Sequence, residues 1–420
     1  MGFSMFSAQP SPIAIDFGSA SVKLLQIGPG ERTTLLAAAG LPIPDSLRAE
    51  KDEKFKFFEK QLPQLLTKGK FKGKRTICSV PSGQTFIQHM QIAGADSGNR
   101  DDLIKAQLQA QLGLPADGMV LRTVAVADVH GEGQGRSELI CIAVGRDTVM
   151  RYVQLLKKCK LETVGVQSGV IAMVRAFDYL HCRQEDTNLT TLYVDLGWGS
   201  TKVAIAHGKQ IVFARCIHMG GQQVDRRIAE KLQCDVASAR KHRLSGQVPS
   251  AASLSRSQQD ADSIAPTESL AVATAMTDPA TEAQTDQVSS PVGVAQERRV
   301  AATPPELTSL VAQDDSEAGL HLEISSSADA VADELSMCLR YHQSLFRNRP
   351  VERMIFLGGE ARDVGLCQHV ARALRLPAQL GDPMARLVCA KSQRTPGLDL
   401  REPQPGWAVA CGMCTAPTDL

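Results

Sequence analysis

The stretch YVDLGWGSTKVAI, Tyr193–Ile205, reads as two β-strands joined by a glycine-rich turn, with a carboxylate at the end of the first strand. The chain nearly spells it twice, since IAIDFGSASVKLLQI occupies Ile13–Ile27. Aligned, Asp16 falls on Asp195, Gly18 on Gly197, Ser21 on Ser200 and Lys23 on Lys202, with apolar runs on both sides. The two acids lie 195 − 16 = 179 positions apart, which excludes a short-period repeat and points to two large related halves.

Either hairpin alone reads equally well as a turn that Asp and Gly merely shape. Two copies with the same four residue types at the same offsets suggest a common ligand. Successive backbone N–H groups in a tight turn cradle phosphates, and glycine lets the chain approach without a Cβ in the way. Ser19, Ser21, Ser200 and Thr201 add small hydroxyl donors. A carboxylate at the strand end suits magnesium held through its waters, which gives Asp16 and Asp195 their expected role. The pair of hairpins would then clamp a triphosphate from both sides. GWGSTK ends like a Walker A loop, but the spacing G-x-x-x-x-G-K-[ST] is absent, so this is not a P-loop.

A third element is MIFLGGEARDVGL. An apolar strand, Gly358–Gly359 and a helix start leave a side-chain-free surface on which an adenosine could lie. Alone, such a link is mostly a packing device; as the third member of an ordered series it is informative.

The 420 residues fit two or three domains with sizeable cores. A formal net charge of +1 gives no electrostatic case for nucleic acid or an anionic membrane. The odd number of cysteines, 11, their scatter and the absence of a signal-peptide pattern suggest free thiols in a reducing cytosol. No window approaches the roughly 18 apolar residues of a spanning helix, so a soluble cytoplasmic protein is expected.

Strands are expected from about Ile13 to Ile27 and from Thr33 to Ala39. KFKFFEKQLPQLLTKGKFKGKR follows, with Phe55, Phe58, Leu62, Leu65 and Leu66 on one helical stripe and its lysines on a solvated face. RTICSVPS is a buried strand. From Gln84 to about Thr163 the pattern is a small α+β unit: the strand FIQHMQI, the helix DDLIKAQLQAQLG stopping at Gly113, two strands joined by HGEGQG, and the helix RDTVMRYVQLLKKC. GVIAMVRAFDYL is a further helix. From Ser245 to Leu320 there is no Phe, Tyr, Trp or Cys, and this composition predicts a disordered insertion within a folded domain. Order is expected to return with SADAVADELSMCLRYHQSLF, RMIFLGGEA and GLCQHVARALRL.

This series resembles the phosphate 1, phosphate 2 and adenosine motifs of the actin-like ATPases. Within them the chain is similar to the PilM family of type IV pilus assembly, relatives of the division protein FtsA. The resemblance covers roughly Ile13–Leu244 and His321–Met413. It implies an α/β, duplicated ribonuclease H-like (actin-like ATPase) fold with an α+β 1C-type subdomain inserted in the first half. Residues 10–83 and 164–190 would form subdomain 1A, 84–163 the 1C unit, 191–244 and 321–415 the second half (2A/2B), and 245–320 the insertion.

By the same resemblance, Asp16, Gly18, Ser19, Ser21 and Lys23 belong to phosphate 1, and Asp195, Gly197, Gly199, Ser200 and Thr201 to phosphate 2. Gly220 and Gly221 start a helix beside the nucleotide, Lys241 reaches the nucleoside, and Gly358 and Gly359 form the adenosine site. The ligands implied are ATP and Mg, the latter at Asp16 and Asp195. Three departures stand out. The usual A-E-x-x-K reads ASARK, so only Lys241 carries over; Trp198 is bulkier than the usual turn residue; and Gln167 stands where many relatives place an acid. A glutamine orients a water but cannot take its proton, so slow or negligible hydrolysis is expected.

The implied function is an ATP-binding scaffold on the cytoplasmic face of the inner membrane. It would be peripheral and not inserted, and would hold the N-terminal cytoplasmic tail of a PilN-like protein. Pilus motor ATPases are further candidate partners, and self-association is a further expectation. The alternative is an FtsA-like protein that polymerises and tethers a division ring, which would call for an amphipathic helix where the chain ends CGMCTAPTDL. A type II secretion L protein would need a spanning segment, and a sugar or acid kinase a catalytic acid that the sequence does not display. CGMC lacks the second ligand pair of a zinc site and the context of a redox site, and reads as a small-residue helix.

Overall fold

The computed structural model describes residues 10–28, 33–93, 100–113, 115–129, 136–181, 189–245, 318–389 and 395–416. The expected insertion lies almost wholly outside them, between a helix that ends at Ser245 and one that begins at Ala318. The turn HGEGQG and the terminal residues 417–420 also lie outside.

The first half opens with β1 (Ile13–Phe17), β2 (Ser21–Gly28) and β3 (Thr34–Pro42), followed by the short helix α1 (Asp45–Arg48) and the long α2 (Lys51–Gly69). β4 (Arg75–Ser79) leads into β5 (Thr85–Ala93), α3 (Arg100–Leu112), β6 (Met119–Val129), β7 (Arg136–Gly145) and α4 (Arg146–Lys158). β8 (Glu162–Gln167) and α5 (Gly169–Arg175) close this half. The second contains β9 (Thr190–Leu196), β10 (Thr201–His207), β11 (Gln210–Ile217), α6 (Gly221–Leu232) and α7 (Val236–Ser245). It continues with α8 (Ala318–Leu345), β12 (Arg353–Leu357), α9 (Val364–Leu374), β13 (Ala378–Leu380), β14 (Val388–Cys389) and α10 (Ala408–Cys414).

The duplication is visible in the sheets. One runs β3-β2-β1-β4-β8, with β14 added beside β3; the other runs β11-β10-β9-β12-β13. In each, the first three strands in chain order are antiparallel and the last two are parallel to the central strand. The central strands β1 and β9 are buried on both faces, as their apolar composition requires. Between the sheets, α10 crosses α5 so closely that a Cβ at Gly412 would overlap the Ala172 carbonyl. Cys411 and Cys414 sit in this core, and burial pushes the Cys414 thiol up to about 12.

The third sheet, β5-β7-β6, is antiparallel and packs α3 through Ile104 and Leu108. Helix α4, read from sequence as part of that unit, follows β7 and places Tyr152, Leu155 and Leu156 in the core with Ile13, Phe17 and Phe58 of the first sheet and α2. Its apolar stripe is completed by those side chains.

The three-stranded sheet also touches the second half. His89 on β5 donates from Nδ1 to Glu138 Oε1 (3.0 Å) and accepts the Ala214 N–H of β11 at Nε2 (3.2 Å), which fixes its neutral tautomer. Tyr341 of α8 donates to the same Glu138 oxygen at 2.6 Å. Burial pushes the Glu138 carboxyl up, but the His89 and Tyr341 hydrogen bonds outweigh it and hold it below its ordinary value.

His207 at the end of β10 and His342 of α8 meet in the second half, with Nε2 atoms 3.0 Å apart and rings packed on Phe346. Burial pushes each imidazole down to about 4 from 6.5. Between about pH 6.5 and 4 the unfolded chain therefore binds protons that the folded chain does not, so stability declines as pH falls through that window. The melting temperature is expected to drop from pH 7.5 to 4.5, with stability lower by on the order of a few kcal/mol at the acid end. The double variant His207→Leu/His342→Leu should show a shallower slope in the same scan.

Candidate functional site

Both acid–glycine turns open on one cleft of about 450 Å3. Each turn is built by the same local physics. The Gly18 N–H donates to Ser21 O at 3.0 Å and the Gly197 N–H to Ser200 O at 3.1 Å. A Cβ at Gly18 would stand 2.7 Å from that carbonyl oxygen, and one at Gly197 would stand 2.6 Å away, so no other residue closes these turns unaltered.

The hairpin register then sets Asp16 opposite Lys23 and Asp195 opposite Lys202. The Lys23 Nζ–Asp16 Oδ2 distance is 3.9 Å and the Lys202 Nζ–Asp195 Oδ2 distance 2.7 Å. Ser79, at the end of β4, donates its hydroxyl to Asp16 Oδ1 at 2.8 Å. The turns face each other directly: a Cβ at Gly199 would lie 3.5 Å from Ser19 Oγ.

Burial pulls both lysines down, and the outcome differs between them. For Lys202 the Asp195 and Asp16 carboxylates outweigh burial and hold the ammonium above its ordinary value. For Lys23 burial wins over Asp16 and Asp195, with Lys202 adding repulsion, and its ammonium is held below. The charged residues lining the cleft are Lys23, Arg48, Lys202, Arg240 and Arg362 against Asp16, Asp195 and Glu360, five cations to three acids, an excess of 5 − 3 = 2 positive charges. Such a surface favours an anion.

The third wall is the loop after β12. Gly358 has φ +91°, and a Cβ on it would stand 2.1 Å from the Leu196 carbonyl oxygen and 2.5 Å from Asp195 Oδ1. Gly359 is different, because a Cβ there would have no protein atom within 4 Å and would project into open space.

Of the residues expected from sequence, the cleft gathers Asp16, Gly18, Ser19, Ser21, Lys23, Asp195, Gly197, Ser200, Gly358 and Gly359. Others stand behind the lining. Thr201 is buried and its hydroxyl donates to Met219 O at 2.8 Å, holding the loop before α6. Gly220 and Gly221 abut the second turn, and the Gly221 and Gln222 N–H groups donate to Gly197 O (3.0 Å) and Trp198 O (2.7 Å). The first amides of α6 are thus taken up by the turn instead of facing a ligand. Gln167, the last residue of the edge strand β8, lies outside the lining, while Gly169 two positions on belongs to it.

Lys241 is exposed on α7 and does not reach the cleft; Arg240 does. Arg240 donates to Glu360 Oε1 at 2.8 Å, and the fully buried Arg243 side chain, one helical turn on, binds Asp225 (2.8 Å), Glu360 (2.6 Å) and Asp363 (3.1 Å). Burial pulls the Arg243 guanidinium down, but Glu360 and Asp225 raise it further still, so it stays charged. This network ties α6 and α7 to the Gly358–Gly359 loop. Sequence reasoning missed it, and also missed Ser79, Arg48 and Arg362. A signal did exist for Lys202, which shares its offset with Lys23.

Two sheets of identical strand order, each delivering an acid–glycine turn to a shared cleft, define the actin-like ATPase fold. The sequence model of the type IV pilus assembly protein PilM matches residues 14–256, and the chain belongs to that family. The model of the cell division protein FtsA matches residues 192–412. Among solved structures, the chain is similar to a PilM–PilN type IV pilus biogenesis complex, with a TM-score of 0.66 at 14% identity over 96% of this chain and 98% of that one. The ethanolamine utilization protein EutJ from Carboxydothermus hydrogenoformans gives 0.46 at 12% identity, covering 97% and 89%. MreB5 of Spiroplasma citri bound to ADP gives 0.45 at 10%, covering 97% and 95%. Among the described residues, no helix is long and apolar enough to cross a membrane.

Two substitutions separate structure from surface in the third wall. Gly358→Ala should destabilise by about 2 kcal/mol or more, from a left-handed φ and the clash with Leu196 O, whereas Gly359→Ala should leave the unfolding midpoint unchanged. Arg243→Ala leaves Asp225, Glu360 and Asp363 without their shared cation and should cost about 3–5 kcal/mol in urea unfolding.

Proposed function

We propose that the cleft binds ATP with magnesium, and that the protein serves as a nucleotide-dependent scaffold of a type IV pilus or related envelope assembly machine. One observation carries this reading: the two turns, alike in sequence, hydrogen bonding and register, face each other across an opening with excess positive charge. The turn amides, Ser19, Ser21 and Ser200, with Lys23 and Lys202, would hold the phosphates. Gly358–Gly359 would receive the nucleoside, with Arg240 in the place first given to Lys241. Magnesium needs one or two carboxylates besides phosphate oxygens and water, and Asp16 and Asp195 offer that donor set once phosphates draw their lysines away. Bound there, the ion would neutralise phosphate charge.

Hydrolysis would be slow. Among the described lining residues, Asp16 and Asp195 would be taken up by magnesium and Glu360 is held by Arg240 and Arg243, which leaves no free carboxylate to act on a water. The family and the similarity to a PilM–PilN complex support a PilN-like inner-membrane protein as partner, engaged through its cytoplasmic tail, with this chain at the cytoplasmic face of the membrane. We assign the β5-β7-β6 sheet with α3 as the inserted 1C-type unit in this scheme. Motor ATPases and further copies of this chain are partners of the same proposed assembly.

Calorimetry should show ATP·Mg binding that Gly359→Trp weakens at least about tenfold without altering the fold, because the indole projects into the cleft. Multiple-turnover hydrolysis should lie well below the about 1 per second at the low end of typical enzymes. A pull-down with ATP·Mg should recover a single-span protein through its cytoplasmic tail. Recovery of the division tubulin instead would favour the FtsA-like reading.

A further inference from the structure

The residue facing the second turn across the cleft mouth is Arg48, the last residue of α1. Its side chain is only 8% exposed and it lines the cleft. Its Nε donates to Ile43 O at 3.1 Å, and its Nη1 pairs with Asp45, whose own side chain is half in solvent. Its guanidinium lies over the Trp198 ring, 5.0 Å from the centroid. Burial and then the nearby Arg240 hold the Arg48 guanidinium below its ordinary value, the sign of a buried cation with incomplete compensation.

Its surroundings are short of acceptors as well. Trp198 Nε1 is a buried N–H donor with no hydrogen-bond acceptor, and Arg240 Nη1, 3.9 Å from Asp225 Oδ2, makes no hydrogen bond; both residues line the cleft. This end of the cleft therefore presents buried donors and positive charge in excess, which a ligand with closely spaced anionic oxygens would satisfy.

We propose that Arg48 is a further contact of the first half to the ligand, and that its guanidinium leaves the Trp198 ring for the phosphates of a bound nucleoside triphosphate. The proposal rests on the nucleotide reading above and adds to it a response to occupancy. A charge-assisted hydrogen bond to a phosphate oxygen is stronger than a cation–π contact, so the ligand wins the guanidinium. Arg48 belongs to the first half and Trp198 to the turn of the second, so the exchange replaces a direct bridge between halves by one routed through the ligand.

The chain has two tryptophans, and both line the cleft, so its intrinsic fluorescence reports there. ATP·Mg should change the emission of the wild-type protein, and Trp198→Phe should remove most of that change. Arg48→Ala should bind ATP·Mg about tenfold or more weakly in calorimetry and lose the emission response. Arg48→Lys, which keeps the charge but not the planar fork, should fall between. An Arg48→Ala protein with wild-type affinity, or an emission change undiminished in Trp198→Phe, overturns the proposal and leaves the nucleotide reading standing. A wild-type protein that binds no ATP·Mg in calorimetry overturns both. Thermal unfolding of each variant identifies any loss that is merely misfolding.

Discussion

The site depends on one short hydrogen bond made twice, from a glycine amide back to a serine carbonyl three residues on. That bond turns each hairpin tightly enough for its strand-end acid and cross-strand lysine to share one register, and it leaves no room for a Cβ. The rest follows from placing two such hairpins at the centres of two sheets with the same strand order. Each turn comes to the end of its sheet that faces the other, with Ser19 in van der Waals reach of Gly199.

The charges in the cleft are arranged in two different ways. Around the turns, acids and lysines are paired one to one and remain partly accessible, an arrangement that a polyvalent anion can redistribute. Behind the third wall, Arg243 and three carboxylates are locked out of solvent. Such a cluster favours a unique packing of α6, α7 and the glycine loop more than it adds stability, because desolvating the charges opposes their attraction. The cleft thus has a pliable floor and a rigid wall.

Much of this was legible in the chain. The repeated hairpin can be read because the signal is local: the turn bond constrains Gly18 and Gly197, and the register follows from two-residue alternation. Gly358–Gly359 was legible for the same reason, although sequence does not distinguish Gly358, constrained by φ and by Leu196, from Gly359, which faces open space. Helix phase was harder. ASARK offers two adjacent cations about 100° apart, and only the partners Glu360 and Asp225 decide that Arg240 faces inward. Arg243 and Glu360 are 117 positions apart, so no local pattern announces their pair. The stripe of helix α4 shows that it packs, but not that Ile13, Phe17 and Phe58 are what it packs on.

The hydrogen bonds from Ala214 to His89 and from Tyr341 to Glu138 give the inserted sheet a mechanical meaning. It is spliced into the first half by the chain and fastened to the second by a buried carboxylate and one edge-strand amide. Any swing of one half against the other must therefore drag this sheet along or tear it from β11.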